Sequence, residues 1–412
     1  MNDPVNATQS NTSKTTGKPN EQVLSMGIRL RKSLKTLFVG LLVGIAFAEV
    51  VLRIAGISIP KFFRVDDTLG MSHRPGVKGW WIREGKTYVS INSEGLRDRE
   101  RSKVKPPGTI RIAVLGDSYV EAFNVPFEKA FTSVMERELG KCKKLGARRI
   151  EVINFGVGGY NTGIELLALR HHVWNYSPDI VLLAFYSEND IMDNSKSMFY
   201  DGTRPYFVLR DGRLELDNSF KDSPYFKSRK SWYSRAAYCV LNYSRVLQVI
   251  EESRITLKRI LMQRKQRLAN LPKKGLMLYL EPTDELWQEA WLITEKLIST
   301  MASEVEEKGA RFILTALSNP TQAHPSKEVR KKTMKNLGVT DLFYPDRRIE
   351  ALGERLGFPV ITLGRQFQSH AEENQAFLYG SKETKGVGHW NEEGQRLAGK
   401  TVAEYICANS LF

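Results

Sequence analysis

Two side chains in this sequence are of the types that nucleophilic catalysis requires. Ser118 ends the triplet GDS, directly after a short apolar segment, and His389 stands in the motif GHWN, just before the last helical pattern. A serine hydroxyl attacks an acyl carbon when a neighbouring base removes its proton, and histidine is the usual base. Ser118 could equally cap a helix, because residues 118–121 fit the S-x-x-E capping box. The two roles are compatible.

Two further segments follow apolar runs and have the donors needed to bind an anion. The segment NFGVGGY, residues 154–160, places Gly159 where a backbone N–H can approach an anion closely. The segment SEND, residues 187–190, offers the side-chain amide of Asn189. Each segment alone is also an ordinary turn without a ligand. A dinucleotide fingerprint G-x-G-x-x-G is incomplete here, because position 161 is asparagine.

Five apolar segments alternate with helical patterns and determine the expected fold class. They are predicted strands at residues 110–115, 150–155, 179–186, 311–317 and 359–363. Strands that alternate with helices indicate a parallel sheet covered by helices on both faces. Reactive groups in such sheets gather at the carboxyl ends of the strands. Ser118, Gly159 and Asn189 each follow a predicted strand, so we expect them at one edge of the sheet.

This ordered set of motifs resembles that of the SGNH/GDSL hydrolase superfamily. GDS corresponds to its first block, N-x-G-x-x-G at 154–159 to its second and Asn189-Asp190 to its third, with Ser-Glu where Gly-x is usual. The resemblance implies an α/β fold, a flavodoxin-like three-layer sandwich with a parallel sheet. It implies that Ser118 is the nucleophile and His389 the base. It also implies an oxyanion hole formed by Ser118, the backbone N–H of Gly159 and the side chain of Asn189.

The sequence departs from the superfamily pattern at the residue that should orient the base. The superfamily usually has an aspartate two or three residues before the histidine, where this chain has Val387 and Gly386. Such an acid orients the imidazole and stabilises its cation. Three alternatives follow. The site is a dyad oriented by a backbone carbonyl group, or a triad completed by Glu383 or a distant acid, or catalysis is weak or lost.

The N-terminal 60 residues have the composition of a membrane anchor. Residues 1–25 are polar and predicted to be disordered, and residues 1–35 form a tail that becomes basic toward its end. Residues 36–60 are long and apolar enough to span a bilayer, and the positive charges before them favour a cytoplasmic N-terminus. The segment INSEGLRD, residues 91–98, resembles membrane-attached members of the superfamily. We therefore expect a single-pass membrane protein whose catalytic domain is periplasmic or extracellular.

Two alternatives to a retained anchor stay open. A signal peptide could start at Met26 and be cleaved after the A-x-A pattern at residues 46–48. The apolar run could instead be a buried amphipathic helix of a cytosolic protein.

The net charge of +15 arises largely from one segment. Between Lys221 and Lys274 the chain has 14 lysine and arginine residues and 3 acidic residues. Apolar residues recur at helical spacing from Asn242 to Leu268, which predicts a basic amphipathic helix. Such a helix could contact anionic lipid or an acidic polymer, or it could be a lid with a solvated basic face. Nucleic acid is not an expected partner, because no binding motif is present.

The three cysteines do not indicate a metal site. Cys142, Cys239 and Cys407 lack C-x-x-C spacing and a histidine at ligand distance, so we expect neither a zinc site nor a disulfide framework. An odd number also leaves at least one cysteine unpaired within the chain. We expect no metal and no cofactor.

Together these observations predict an anchored serine ester hydrolase that acts on O-acyl groups of a cell-envelope glycan or a related ester. Residues 61–108 are expected to be an irregular linker region, and residues 109–412 the hydrolase domain with an insertion at about 191–280. Two functional alternatives stay open. The protein could transfer the acyl group to a sugar hydroxyl group, or it could be a non-catalytic envelope binding or scaffold protein with the hydrolase fold.

Overall fold

The structure, a computed structural model, describes residues 20–269, 274–381 and 384–412. It contains two compact units, Met1–Gly56 and Ile57–Phe412. The described part of the first unit includes helix α1, Asn20–Ile54. Within it, Ile28–Ile54 contains an 18-residue stretch with a mean hydropathy of 2.3 and no buried residues, so this segment is long and apolar enough to cross a membrane. Residues 1–19 of the predicted disordered tail lie outside the described residues.

The second unit begins with two antiparallel hairpins, where we expected an irregular linker. Strands β1 (Phe63–Asp66) and β2 (Gly70–His73) form the first hairpin, and β3 (Lys78–Trp81) and β4 (Thr87–Ser90) form the second. Both hairpins pack around Phe123, which comes from the domain that follows. The segment itself contributes Phe62, Val77, Val89 and Ile91 to this small apolar core, and the non-local contact with Phe123 completes it.

The remaining helices and strands alternate along the chain as follows: β5 (Thr109–Gly116), α2 (Ser118–Glu121), α3 (Phe131–Leu139), β6 (Arg149–Asn154), α4 (Thr162–His171), β7 (Ile180–Phe185), α5 (Ser187–Asn194), β8 (Tyr206–Arg210), β9 (Arg213–Asp217), α6 (Pro224–Lys230), α7 (Trp232–Tyr243), α8 (Arg245–Ala269), α9 (Glu285–Glu307), β10 (Arg311–Ala316), α10 (Lys327–Leu337), α11 (Tyr344–Leu356), β11 (Val360–Thr362), α12 (Gly364–Asn374) and α13 (Glu392–Ala408).

Five of these strands form one parallel sheet in the order β11-β10-β7-β5-β6. In chain order this is 2-1-3-4-5, the flavodoxin-like order. The fold class predicted from the sequence is therefore confirmed. All five predicted strands are present, with ends shifted by at most one residue.

Alternate residues of β5, an interior strand between β7 and β6, enter two separate cores. Ala113 and Leu115 belong to the core that α4 and α9 cover, whereas Ile112 and Val114 belong to the core that α3 and α13 cover. Successive side chains of a strand point to opposite faces, so a central strand with helices on both sides must be apolar throughout. Every residue of β5 is buried. The result is a three-layer sandwich.

One expectation about the cysteines is wrong. Cys142 and Cys407 form a disulfide with a Cα–Cα distance of 5.9 Å, although 265 residues separate them. Cys142 follows α3 and Cys407 lies in the last turn of α13. These two helices pack side by side, because Gly399 of α13 lets the backbones approach closely. Sequence spacing carries no sign of this contact. Cys239 is exposed and has a free thiol.

Candidate active site

Ser118 is the first residue of α2, immediately beyond the carboxyl end of β5. The helix cap is Asp117, whose side chain accepts a hydrogen bond from the backbone N–H of Tyr119 at 2.8 Å. The capping role that the sequence allowed for Ser118 therefore belongs to its neighbour. The Ser118 hydroxyl is left available to another partner. That partner is His389, whose Nε2 lies 2.7 Å from Ser118 Oγ.

His389 is held in place on both sides. It precedes α13, which Asn391 caps through the backbone N–H groups of Glu393 and Gly394. Its ring packs against the ring of Tyr119 with centroids 5.0 Å apart. The base and the nucleophile are thus fixed by helices from opposite ends of the domain sequence.

The carboxylate beside the histidine is Glu84, which the sequence did not single out. Glu84 Oε2 lies 2.5 Å from His389 Nδ1, and Glu84 Oε1 accepts the backbone N–H of His389 at 2.6 Å. Gly388 is required for this approach, since a Cβ there would lie 2.2 Å from Glu84 Oε1 and its φ is +94°. Glu84 belongs to the turn between β3 and β4, 305 residues before the histidine. Glu383, the acid considered from the sequence, lies outside the described residues.

The electrostatics of the His389–Glu84 pair favour the cationic form that a histidine takes when it accepts a proton. Burial alone lowers the pKa of His389, but the hydrogen bond and negative charge of Glu84 outweigh it and raise the pKa above its ordinary value. Burial likewise raises the pKa of Glu84, yet its contacts with His389 lower the pKa below the usual range for a glutamate. Glu84 is therefore a carboxylate at neutral pH, and it stabilises the imidazolium form of His389.

The glycine segment after β6 is pinned against α2. Asn154 Nδ2 donates to the carbonyl oxygen of Val120 at 2.8 Å, and Asn154 Oδ1 accepts the N–H of Gly156 at 2.8 Å. A Cβ at Gly156 would lie 2.6 Å from the backbone nitrogen of Glu121, so only glycine allows this packing. Gly159 follows with a φ of +86°. The segment thus presents its backbone beside the helix that begins at Ser118.

Asn189 lies at the same edge of the sheet, in the first turn of α5 after the end of β7. Its Nδ2 donates to Asp117 Oδ2 at 2.8 Å, which ties the first turn of α5 to the residue before the nucleophile. An amide nitrogen carries two hydrogens, so a second donor remains. Burial raises the pKa of Asp117, even though Tyr119 and Asn189 donate to its carboxyl group. The sequence motifs for Ser118, Asn189 and His389 therefore converge in space.

No protein-family description matches this chain, and no curated protein matches its sequence. Solved structures similar to it include an acetyl xylan esterase, at 13% identity and a TM-score of 0.36, with 72% of this chain and 100% of that chain covered. A GDSL-like lipase from Bacteroides thetaiotaomicron is 13% identical, with a TM-score of 0.34 and coverages of 76% and 93%. A catalytic mutant of an acetylxylan esterase from Geobacillus stearothermophilus is 11% identical, with a TM-score of 0.37 and coverages of 74% and 96%.

The segment INSEGLRD, residues 91–98, has a structural role beside Ser118 that its sequence did not reveal. Arg97 is buried and donates to the carbonyl oxygens of Glu121 and Val125, each at 2.5 Å, and also to that of Ala122. Asp98 accepts the backbone N–H of Asn154 at 3.0 Å. Burial lowers the pKa of Arg97 to about 10 and raises the pKa of Asp98 to about 6. The two residues clamp the end of α2 and the end of β6.

His73 and Glu121 form a second buried histidine–carboxyl pair beside the site. His73 Nε2 lies 2.7 Å from Glu121 Oε1, and the same oxygen accepts the N–H of Gly158 at 2.9 Å. His73 Nδ1 contacts the carbonyl oxygen of Gly95 at 3.1 Å. The pair therefore links the first hairpin to the glycine segment. Among the described residues there is no cluster of three or more His, Cys, Asp or Glu side chains that could hold a metal ion.

Proposed function

We propose that the protein is a serine ester hydrolase with a triad of Ser118, His389 and Glu84. The observation that carries this proposal is the continuous chain of contacts, 2.7 Å from Ser118 Oγ to His389 Nε2 and 2.5 Å from His389 Nδ1 to Glu84. Nucleophile, base and orienting acid are recognised by such geometry and not by sequence position. In this proposal Glu84 is the distant acid that the sequence left open as an alternative to a dyad or to Glu383.

The reaction proceeds through an acyl-enzyme. His389 Nε2 accepts the Ser118 hydroxyl proton while Oγ bonds to the acyl carbon, and Glu84 stabilises the resulting imidazolium. The imidazolium then gives its proton to the departing alcohol oxygen as the ester bond breaks. Water, deprotonated by His389, attacks the acyl-serine, and the carboxylic acid leaves with Ser118 restored. Acyl transfer to a sugar hydroxyl would replace water by that hydroxyl in the second half.

The oxyanion of each tetrahedral intermediate needs donors that are already in place. We assign these to the backbone N–H groups of Ser118 and Gly159 and to the side-chain amide of Asn189. The pinned glycine segment and the bond from Asn189 to Asp117 support the assignment, since both hold donors beside α2.

For the substrate we propose O-acyl groups on a cell-envelope glycan. A cavity of about 430 Å³ is lined by Met71, Trp80, Trp81 and Arg83, a size typical of ligand sites. It adjoins the site at two points. Met71 lies beside Gly159, 3.7 Å from the position a Cβ would take, and Arg83 directly precedes Glu84. Indole rings combine a large apolar face with a polar N–H, which suits a sugar ring.

We also propose that α1 is a retained anchor, with the N-terminus cytoplasmic and residues 57–412 in the periplasm or outside the cell. The length and hydropathy of Ile28–Ile54 and the basic residues around its start support this topology. The disulfide between Cys142 and Cys407 adds independent support, because structural disulfides persist mainly in oxidising compartments.

The proposal is tested by labelling the full-length protein with a fluorophosphonate and assaying a short acetyl ester. Ser118→Ala should remove both labelling and turnover, with thermal unfolding unchanged. Ser303→Ala, an exposed serine on α9, is the matched control and should retain both activities. A folded wild-type protein that neither labels nor hydrolyses the ester would contradict the proposal. Adding a sugar acceptor and measuring acyl-sugar product separates transfer from hydrolysis.

A further inference from the structure

Helix α8 turns its polar side toward the domain. Gln248 and Glu252 are buried, at 1% and 6% exposure. Gln248 Oε1 accepts the backbone N–H of Ile59 at 2.8 Å, and Glu252 forms an ion pair with Arg83 at 3.0 Å. A helix of a globular protein ordinarily packs an apolar stripe against the core. Polar contacts hold α8 instead.

Four apolar side chains of α8 face solvent in a row. Successive members are three, seven and four residues apart, a spacing that places them on one face of a helix. Each is between 38% and 59% exposed, and the preceding helix α7 adds two more exposed apolar side chains. The row consists of Leu247, Ile250, Leu257 and Leu261, and α7 contributes Trp232 and Val240. Scattered exposed apolar residues are normal, but a continuous row indicates an interaction surface.

Cations accompany this row, and the acidic residues of the segment are already neutralised. Asp222 pairs with Lys227, Glu251 with Lys61 and Arg254, and Glu252 with Arg83. By sequence the segment has 14 basic and 3 acidic residues, so its net charge is strongly positive. The exposed side chain of Lys258 lies next to Leu257 on the helix. A surface of this kind is complementary to an anionic partner.

We propose that the exposed row of α8 lies on an anionic lipid surface. Its four apolar side chains would insert at the boundary between headgroups and acyl chains, while Lys258 contacts lipid phosphate groups. The inference rests on the anchoring proposed above, since α1 is what brings the chain to a membrane. A second copy of this chain is a poor occupant of the row, because it would bring like charges together.

A fluorescent label placed in the exposed row of α8 tests this inference in the full-length protein, reconstituted in lipid vesicles. In a Cys239→Ser background, Leu257→Cys carries a fluorophore, and lipids brominated in their acyl chains act as the quencher. The matched control site is Lys331→Cys, exposed on α10 and away from the row. We expect quenching at 257 to exceed that at 331 by about threefold in vesicles rich in phosphatidylglycerol, and less in phosphatidylcholine or high salt. Equal quenching at both sites in all vesicles would overturn the inference.

A charge variant and an extraction step make the outcomes separable. Ile250→Glu with Leu261→Glu should reduce quenching at 257 to the level of the control site, whereas Val329→Glu on α10 should not. Carbonate extraction reports anchoring independently. If the protein stays with the membrane after carbonate extraction but the label at 257 is not quenched, the result contradicts only the docking of α8 on the lipid surface. If carbonate releases the protein, the result contradicts the proposed anchor. Self-quenching that grows with protein density, without lipid quenching, would identify a second copy and overturn the inference.

Discussion

Two regions of this molecule contribute to the proposed active site in different ways. The carboxyl edge of the parallel sheet contributes Ser118, Gly159 and Asn189, each directly after a strand. The hairpin segment, residues 57–108, contributes Glu84, His73 and Arg97 through contacts with residues far away in the sequence. Strand order alone brings the first set together, because neighbouring parallel strands end at the same edge. The second set depends on how the hairpins pack around Phe123. The motifs that follow the strands are thus recognisable from local sequence, whereas the residues that support them are brought in by tertiary packing.

The largest effect should come from removing the acid that the hairpin segment provides. Glu84→Gln should lower kcat/KM for a soluble acetyl ester by about 10³-fold or more, because the neutral amide neither fixes the tautomer of His389 nor stabilises its cation. Glu94→Gln, an exposed residue of the same segment, should have less than about a twofold effect. An unchanged rate in a folded Glu84→Gln protein would show that the hairpins only support the fold.

The pH dependence of the same variant sharpens this point. His389 is active as a base when neutral, and Glu84 raises its pKa. Wild-type kcat/KM should therefore rise with pH through a value above the ordinary histidine pKa of about 6.5 and level off beyond it. In Glu84→Gln, burial remains but the carboxylate is gone, so the acid limb should move to lower pH. If the acid limb of the Glu84→Gln profile stays at the wild-type pH, another group determines its position.

A smaller effect is expected where the first hairpin meets the glycine segment. His73→Phe keeps the ring that stacks on Phe123 but leaves Glu121 without its buried partner. We expect a loss of about 1–3 kcal/mol in the free energy of unfolding, measured by urea titration. The rate should fall by about tenfold, because Glu121 also holds the N–H of Gly158. His73→Gln, which can still donate a hydrogen bond, should recover part of both losses.

The smallest effect on activity is expected far from both regions, at the disulfide between α3 and α13. Replacing Cys142 and Cys407 by serine should lower the free energy of unfolding by about 2–4 kcal/mol, because the unfolded chain gains freedom. The kcat for a soluble ester should stay within about twofold of wild type, since neither residue approaches Ser118. A large loss of kcat with intact folding would contradict this separation of stability from chemistry.

The contrast between the regions also explains what could be read from the sequence. Periodic apolar segments predicted all five sheet strands, and the motifs around Ser118, Asn189 and His389 marked residues that the structure brings together. Glu84 carried no comparable signal. The missing acid before His389 showed only that a partner had to come from elsewhere, and a glutamate in a turn 305 residues away looks like any exposed charge. The disulfide was not predicted for the same reason, because the packing of α3 against α13 brings Cys142 and Cys407 together.

The central claim is that Glu84 acts on the reaction through His389, and a double-mutant cycle tests it most directly. Glu84→Gln is measured in wild-type protein and in His389→Ala, with kcat/KM for one soluble ester determined for all four full-length proteins. The claim predicts a loss of about 10³-fold in the wild-type background but a change within about threefold in His389→Ala, where no imidazole remains to orient. Equal losses in the two backgrounds would contradict it.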